Sequence, residues 1–291
     1  MTSVFKRIKV NFFTAFVARN VGRLLASSAK EYVFVVSTGR CGTNTLANIC
    51  AKIPKCESLH EPHPMMNGDI MISYNQGDEK PAKNQFYLRK LPHIFWASAF
   101  STWYIESSHM FIKSFGDFAY KTFGSKLRLI HLTRDPIEVS NSYYLRGNIP
   151  GTPIGDDWTL NYRAAKNSLN LSELLDTDER FQHDFFKCLW YWYEIEARMI
   201  AFSAKYPSVP VVHIDTNAFN DIHALEQLFR QLNIPVGREV LSTMVGTRSN
   251  RSNVAPALPE NINPEDITAF QDICNGHLRK LKEEYANNSN A

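Results

Sequence analysis

The 291-residue chain contains no apolar run long enough to span a bilayer, no C-x-x-C pair, no low-complexity block and no internal repeat. Each absence removes a class of protein. A membrane-spanning helix needs about 20 consecutive apolar residues, and zinc ribbons and dithiol redox folds need paired cysteines. The cysteines are five in number, Cys41, Cys50, Cys56, Cys188 and Cys274, and lie scattered. They suggest neither a disulfide framework nor a metal site, and they fit a reducing, cytoplasmic compartment. Charge of one sign is also scarce: a net +3 does not build a surface for nucleic acid. The composition, 44% hydrophobic and 21% charged, permits an ordinary globular chain with a sizeable core.

Acid is missing altogether from residues 1–30, which carry Lys6, Arg7, Lys9, Arg19, Arg23 and Lys30. That local +6, set against +3 overall, leaves the remainder at −3. Phe5, Ile8, Phe12, Phe13, Phe16, Val17, Val21 and Leu24 recur at helical spacing through the same stretch. A basic amphipathic helix over residues 1–30 has three readings: a helix packed on the domain, a helix lying on an anionic membrane surface, or a mitochondrial presequence.

From Glu31 to about residue 285 the pattern is that of one α/β domain. Four apolar runs read as strands: Tyr32 to Val36, His109 to Ser114, Leu127 to Thr133 and Val209 to Thr216. A fifth strand is read ahead of "HEPHP". Helical patterns at Phe181 to Tyr206, Ala218 to Leu232 and Pro264 to Tyr285 alternate with them. Strands alternating with helices predict a mostly parallel sheet flanked by helices, with ligands bound beyond the carboxyl ends of the strands. His60 to Asn84 and Arg146 to Trp158, rich in Pro, Gly and Asn, read as loops over one rim. The last six residues read as a frayed end.

The stretch "EYVFVVSTGRCGTNTLANIC" changes abruptly from strand to small-residue loop to helix. Helix N-termini bind oxyanions through free N–H groups and the helix dipole. Gly39 and Gly42 let the backbone close on a ligand, and Thr43, Asn44 and Thr45 add side-chain donors. A nucleotide hydrolase or kinase would show G-x-x-x-x-G-K-[ST] here. No Lys follows Gly42, and the loop's cation is Arg40. Cys41 reads as a small loop residue rather than a nucleophile, since no His is near it in sequence. A second strand end, "LIHLTRDPIEVSNS", puts Arg134 at a strand mouth and Ser142 almost two turns into a helix starting near Pro136. Asp135 reads as an acid favoured by the dipole of that helix.

Together these motifs resemble the sulfotransferases that use 3′-phosphoadenosine 5′-phosphosulfate (PAPS). "RCGTNTL" matches the loop [KR]-x-G-T-x-x-L that binds the 5′-phosphosulfate in that family, and "RDPIEVSNS" matches R-D-P-x-x-x-x-x-S, whose Arg and Ser bind the 3′-phosphate. Arg in the first motif is closer to the bacterial and Golgi carbohydrate branch than to the cytosolic one. The resemblance implies a single P-loop-like α/β domain and PAPS as co-substrate without a metal. It implies transfer to a hydroxyl of a carbohydrate or glycolipid. Arg40, Cys41, Gly42, Thr43, Asn44, Thr45, Arg134 and Ser142 would bind the donor, and Arg40 would support the departing phosphate.

The branch often carries a basic Glu in an "E-P" pair after its second strand, which points to Glu61, with His60 the alternative and His63 nearby. Lys113 is the candidate to touch the transferred group. Arg248 and Arg251, in "TRSNRSNV", are candidates for a late loop over the 3′-phosphate. The aromatic run "CLWYWYEIEAR" reads as a buried helix, not a sugar platform. Two other functions stay open on the sequence: a P-loop kinase, and a module that binds a bisphosphorylated nucleotide without turnover.

Overall fold

β-Branched, aromatic and aliphatic residues dominate four of five short segments that pair into one sheet: β1 Glu31–Val36, β3 Trp103–Ser107, β4 Leu127–Thr133 and β5 Val211–Asp215, with the more polar β2 Cys56–His60 between the first two in sequence. A computed structural model describes residues 12–25, 29, 31–247 and 258–289. The strand order is β2-β3-β1-β4-β5, and all four neighbouring pairs are parallel. β1 is central. Tyr32 stands opposite both Tyr104 and Leu127, and Val33 to Val36 are buried. A strand with apolar residues on both faces belongs at the middle of a sheet covered on both sides. The outer strands show it by contrast: β2 is only half-buried and β5 alternates.

The helices follow in chain order. α1 Phe12–Leu25 precedes β1 and α2 Thr43–Cys50 follows it. α3 Asp69–Asn75, α4 Lys80–Gln85 and α5 Leu91–Ala97 fill the β2–β3 crossover, with a π-helical turn, Phe86–Lys90, joining the last two. A second π-helical turn, Phe111–Phe115, leads into α6 Gly116–Phe123. The β4–β5 crossover holds α7 Pro136–Tyr144, α8 Pro153–Asp156, α9 Ser172–Thr177 and α10 Asp184–Lys205. After β5 come α11 Ile222–Gln231, α12 Arg238–Met244 and α13 Pro264–Ser289. α1 packs against α5, and α10 packs between α7 and α13.

Four expectations need correction. His109 to Ser114 is not a strand: the third strand is Trp103–Ser107, and Lys113 lies on the π-helical turn behind it. The segment 60–84 is not loop throughout, since it contains α3 and part of α4. The helix expected from Ala218 begins at Ile222, after a short 3₁₀ turn. The chain end is helical through Ser289 rather than frayed from Ala286.

Buried charge fixes the long crossover to α10. The Glu194 carboxylate, fully buried, accepts from Arg198 Nε (2.5 Å) and from the backbone N–H groups of Ser168 (3.0 Å) and Leu169 (2.7 Å). Arg198 in turn donates to Asn75 Oδ1 on α3 (2.7 Å). A buried ion pair with its remaining hydrogen bonds filled is tolerated, whereas one broken in half is not.

Candidate functional site

The loop after β1 departs from ordinary backbone at three places. Gly39 has φ 88°, Arg40 59° and Gly42 81°. A strand, a turn with several left-handed residues and a helix N-terminus in succession is the backbone habit of anion-binding nests. Gly39 is required for a second reason: a Cβ there would stand 2.5 Å from the Tyr143 hydroxyl. That hydroxyl and the Tyr191 hydroxyl both donate to Thr38 O, at 2.6 and 2.8 Å. Ser37 Oγ accepts from Gly39 N at 2.9 Å. The loop is therefore held from beneath by two buried tyrosines. Cys41 is buried, its thiol donates to Gly39 O (3.2 Å), and burial pushes its pKa up to about 12, which suits a structural loop residue rather than a nucleophile. Thr43, Asn44 and Thr45 form the first turn of α2.

The second motif meets the first across the sheet. β1 and β4 are neighbours, and the chain leaves them in opposite directions, toward β2 and toward β5. Such a switch point opens a crevice at the carboxyl edge. There Arg40 Nε donates to Ser142 Oγ at 3.0 Å, joining residues 102 positions apart. Arg134 Nη1 donates to Arg40 O (3.3 Å), and its guanidinium is paired with Glu138 at 2.6 Å, the face for which an anion would compete. Asp135 caps α7 by accepting from Glu138 N at 2.9 Å, in keeping with its reading as a helix-start acid. The Arg40 guanidinium is held below its ordinary pKa, first by burial and then by the charges of Arg146 and Arg134. Like charges gathered in this way disfavour one another's charged forms, and a neighbouring anion would relieve that cost.

Glu61 follows β2, with φ 46° and its backbone N–H donating to Ser107 O at 3.3 Å. Its carboxylate lies 3.2 Å from His109 Nε2. Burial works to raise its pKa, but the His109 hydrogen bond and the neighbouring cationic groups outweigh it, so the carboxyl sits below its ordinary value. His109 is itself buried, and burial followed by the Lys113 charge lowers its pKa to about 4. A neutral imidazole that donates from Nε2 must accept at Nδ1. Lys113 Nζ stands 2.8 Å from that Nδ1, 3.0 Å from the Tyr191 hydroxyl and 2.5 Å from Trp158 O. Burial depresses the Lys113 pKa strongly, yet its three neighbours are three acceptors, the complement of an ammonium group. The expectation that Lys113 touches a transferred group is thus corrected: it is fully buried and engaged behind the site. From there it ties Glu61, through His109, to Tyr191 and the Thr38 carbonyl.

His60 ends β2 with its ring exposed and Nε2 3.1 Å from Thr43 Oγ1, so the end of β2 and the first turn of α2 touch directly. His63 is exposed three residues further on. Behind Glu61, buried Lys90 donates to Pro62 O (3.1 Å) and pairs with Glu106 at 2.7 Å, and Tyr104 donates to the other Glu106 oxygen at 2.7 Å. Lys90 and Lys113 both occupy π-helical turns, which widen a helix and are frequent at functional sites. The rim loops also meet: Gly68 N donates to Asp157 O (3.1 Å), and the Trp158 and His109 rings lie nearly parallel, 17° apart with centroids at 6.3 Å.

The structure brings Arg40 to Thr45, His60, Glu61, Arg134 and Ser142 together at the carboxyl edge of the sheet. Arg248 and Arg251 lie outside the described residues. Sequence reasoning missed His109, Arg146, Tyr143, Tyr191 and Trp158. "SSH", a polar triplet after an apolar segment, was the available signal for His109. The tyrosines belong to helices whose aromatic periodicity reads as core.

Fold and site thus define an α/β protein in which a left-handed strand–loop–helix turn after β1 meets the arginine-bearing end of β4. No protein-family model matches the chain, and no curated protein does. Among solved structures it is similar to the crystal structure of a sulfotransferase from Alicyclobacillus acidocaldarius, at 14% identity and a TM-score of 0.44, over 88% of this chain and 96% of that one.

Proposed function

We propose that this protein transfers a sulfuryl group from PAPS to a hydroxyl of a carbohydrate or glycolipid acceptor. The observation that carries the reading is the 3.0 Å Arg40–Ser142 hydrogen bond, which unites two anion-type strand ends in one crevice with a carboxylate, Glu61, at its border. A donor with two separated anionic groups matches two cationic strand ends. The left-handed turn at Gly39 to Gly42 and the N–H groups opening α2 would hold the phosphosulfate, and Arg134 and Ser142, with Arg146 at the mouth, the 3′-phosphate.

Sulfuryl transfer needs in-line placement and neutralised charge at the leaving oxygen. Arg40 supplies the charge and remains protonated throughout. As the acceptor oxygen forms its bond to sulfur, the sulfur–oxygen bond to the phosphate breaks, and Glu61 takes the hydroxyl proton. Adenosine 3′,5′-bisphosphate leaves. His60, bonded to Thr43, and His109, bonded to Glu61, position the two loops.

The test is thermal stabilisation followed by transfer. Adenosine 3′,5′-bisphosphate at 100 times its Kd stabilises by about 2.7 kcal/mol, and AMP by far less. Labelled PAPS then passes its label to glycan acceptors. Equal stabilisation by AMP, or a magnesium-dependent effect of ATP instead, overturns the reading.

A further inference from the structure

α1 and α5 lie side by side, and Gly22 lets them approach: a Cβ there would stand 3.0 Å from Phe95 Cβ and 3.3 Å from the Trp96 ring. Both helices carry exposed apolar side chains. Val17 (43% exposed), Val21 (41%) and Leu24 (76%) recur at i, i+4 and i+7, one stripe of the helix. Trp96 (49%) and Phe100 (88%) add two aromatic side chains at the end of α5 and just after it. Five of the eight exposed large hydrophobic side chains among the described residues fall in these two segments. Scattered exposed apolar residues need no explanation, but a concentration of them does.

Cations border the patch. Arg23 is exposed on α1. Lys55 is exposed, and its carbonyl accepts from Thr102 N at 2.7 Å, which sets it beside the segment that carries Phe100. The sequence adds Lys6, Arg7 and Lys9 before the helix and no acid in the first 30 residues. Among the described residues no helix is long and apolar enough to cross a membrane. We infer that this face docks on an anionic lipid surface, with Val17, Val21, Leu24, Trp96 and Phe100 entering the interface and Arg23 and Lys55 meeting the headgroups. An apolar stripe with flanking cations is the composition of helices that lie in the membrane plane, and Trp favours that boundary. Association with a second copy fits less well, because a symmetric contact would bring two acid-free +6 segments together.

The chain direction gives the orientation. α1 leads into the start of β1 and α5 into the start of β3, so Leu24, Trp96 and Phe100 gather near the strand starts. Arg40, Glu61 and Arg134 lie beyond the strand ends. Docking therefore leaves the crevice open to solvent, and nucleotide binding and lipid binding are independent.

The test is co-sedimentation of the full chain with vesicles of phosphatidylserine and phosphatidylcholine in equal parts, and with phosphatidylcholine alone. Binding is expected to the first only. Trp96→Ser with Phe100→Ser should weaken it at least about tenfold, since each burial of an aromatic side chain is worth about that factor or more. Arg23→Glu should weaken it too. Both variants should keep the wild-type thermal response to adenosine 3′,5′-bisphosphate, which confirms the fold. If that nucleotide proves not to bind, wild-type melting serves as the control and the lipid result stands by itself. Failure to bind either vesicle, equal binding to both, full binding by the aromatic double variant, or a dimer that the double variant abolishes while vesicles are ignored each overturns the inference.

Discussion

Replacing Gly39 by alanine puts a methyl group 2.5 Å from the Tyr143 hydroxyl, on a residue whose φ is 88°. The left-handed conformation costs an L-residue about 1–2 kcal/mol. The hydroxyl must also withdraw from Thr38 O, losing a buried hydrogen bond worth about 1 kcal/mol. The expected destabilisation is about 2–3 kcal/mol, or a fall in Tm of roughly 4–12 °C for a chain of this size. Gly77→Ala isolates the first part, because Gly77 has φ 104° and nothing within 4 Å of the added methyl. It should cost about 1–2 kcal/mol. Tyr143→Phe removes the obstructing oxygen, so Gly39→Ala should cost less on that background than on wild type, a non-additivity measurable by urea denaturation. If Gly39→Ala costs no more than Gly77→Ala, or if the two changes at 39 and 143 simply add, the tyrosine does not hold the loop from beneath and the account of the site's rigidity is wrong.

Glu61→Gln should leave adenosine 3′,5′-bisphosphate affinity unchanged and lower turnover by the 10²–10⁴-fold typical of a general base, with His60→Ala milder; the opposite ranking in a labelled-transfer assay moves the base to His60. His109 has a folded pKa of about 4 against an ordinary 6.5, so between those values the unfolded chain binds the extra proton and stability falls as pH drops from 6.5 toward 4. Urea midpoints measured across that window should decline more steeply for wild type than for His109→Gln, and parallel curves refute the assignment. Glu194→Ala leaves Arg198 buried without its carboxylate and should cost about 3–5 kcal/mol, whereas a urea unfolding loss under 1 kcal/mol would mean that water replaces the carboxylate.

The parts of the fold that could be read ahead were those whose reason is local. β1 and β4 are apolar runs stopped by loop residues, and Pro136 marks the start of α7 on its own. The loop after β1 and the Arg134–Ser142 motif were visible for the same reason: strand, turn residues and helix follow one another within a few positions. β3 was missed because its second half, Glu106 and Ser107, is polar. Glu106 is acceptable in the core only because Lys90, distant in sequence, is buried against it, and no local pattern announces such a partner. His109 to Ser114, with its apolar centre, reads as the strand instead, although Phe111 to Ser114 lie on a π-helical turn. His109 escaped notice for a related reason, since its meaning comes from Glu61 and Lys113, which the fold alone brings to it.

The central place of β1 has a consequence for synthesis. Tyr32 to Val36 leave the ribosome before any strand that pairs with them, because the next strand made, β2, takes the far side of β3. One edge of β1 stays open until Trp103–Ser107 emerges, and the other until Leu127–Thr133 does. The most apolar strand of the sheet therefore waits longest with both edges open, a template for wrong pairing. Fragments that end between β3 and β4 should be poorly soluble. A nascent chain should profit from a holdase that releases it only after β4 has passed, and coding changes that slow translation between residues 36 and 127 should lower soluble yield without altering the finished protein.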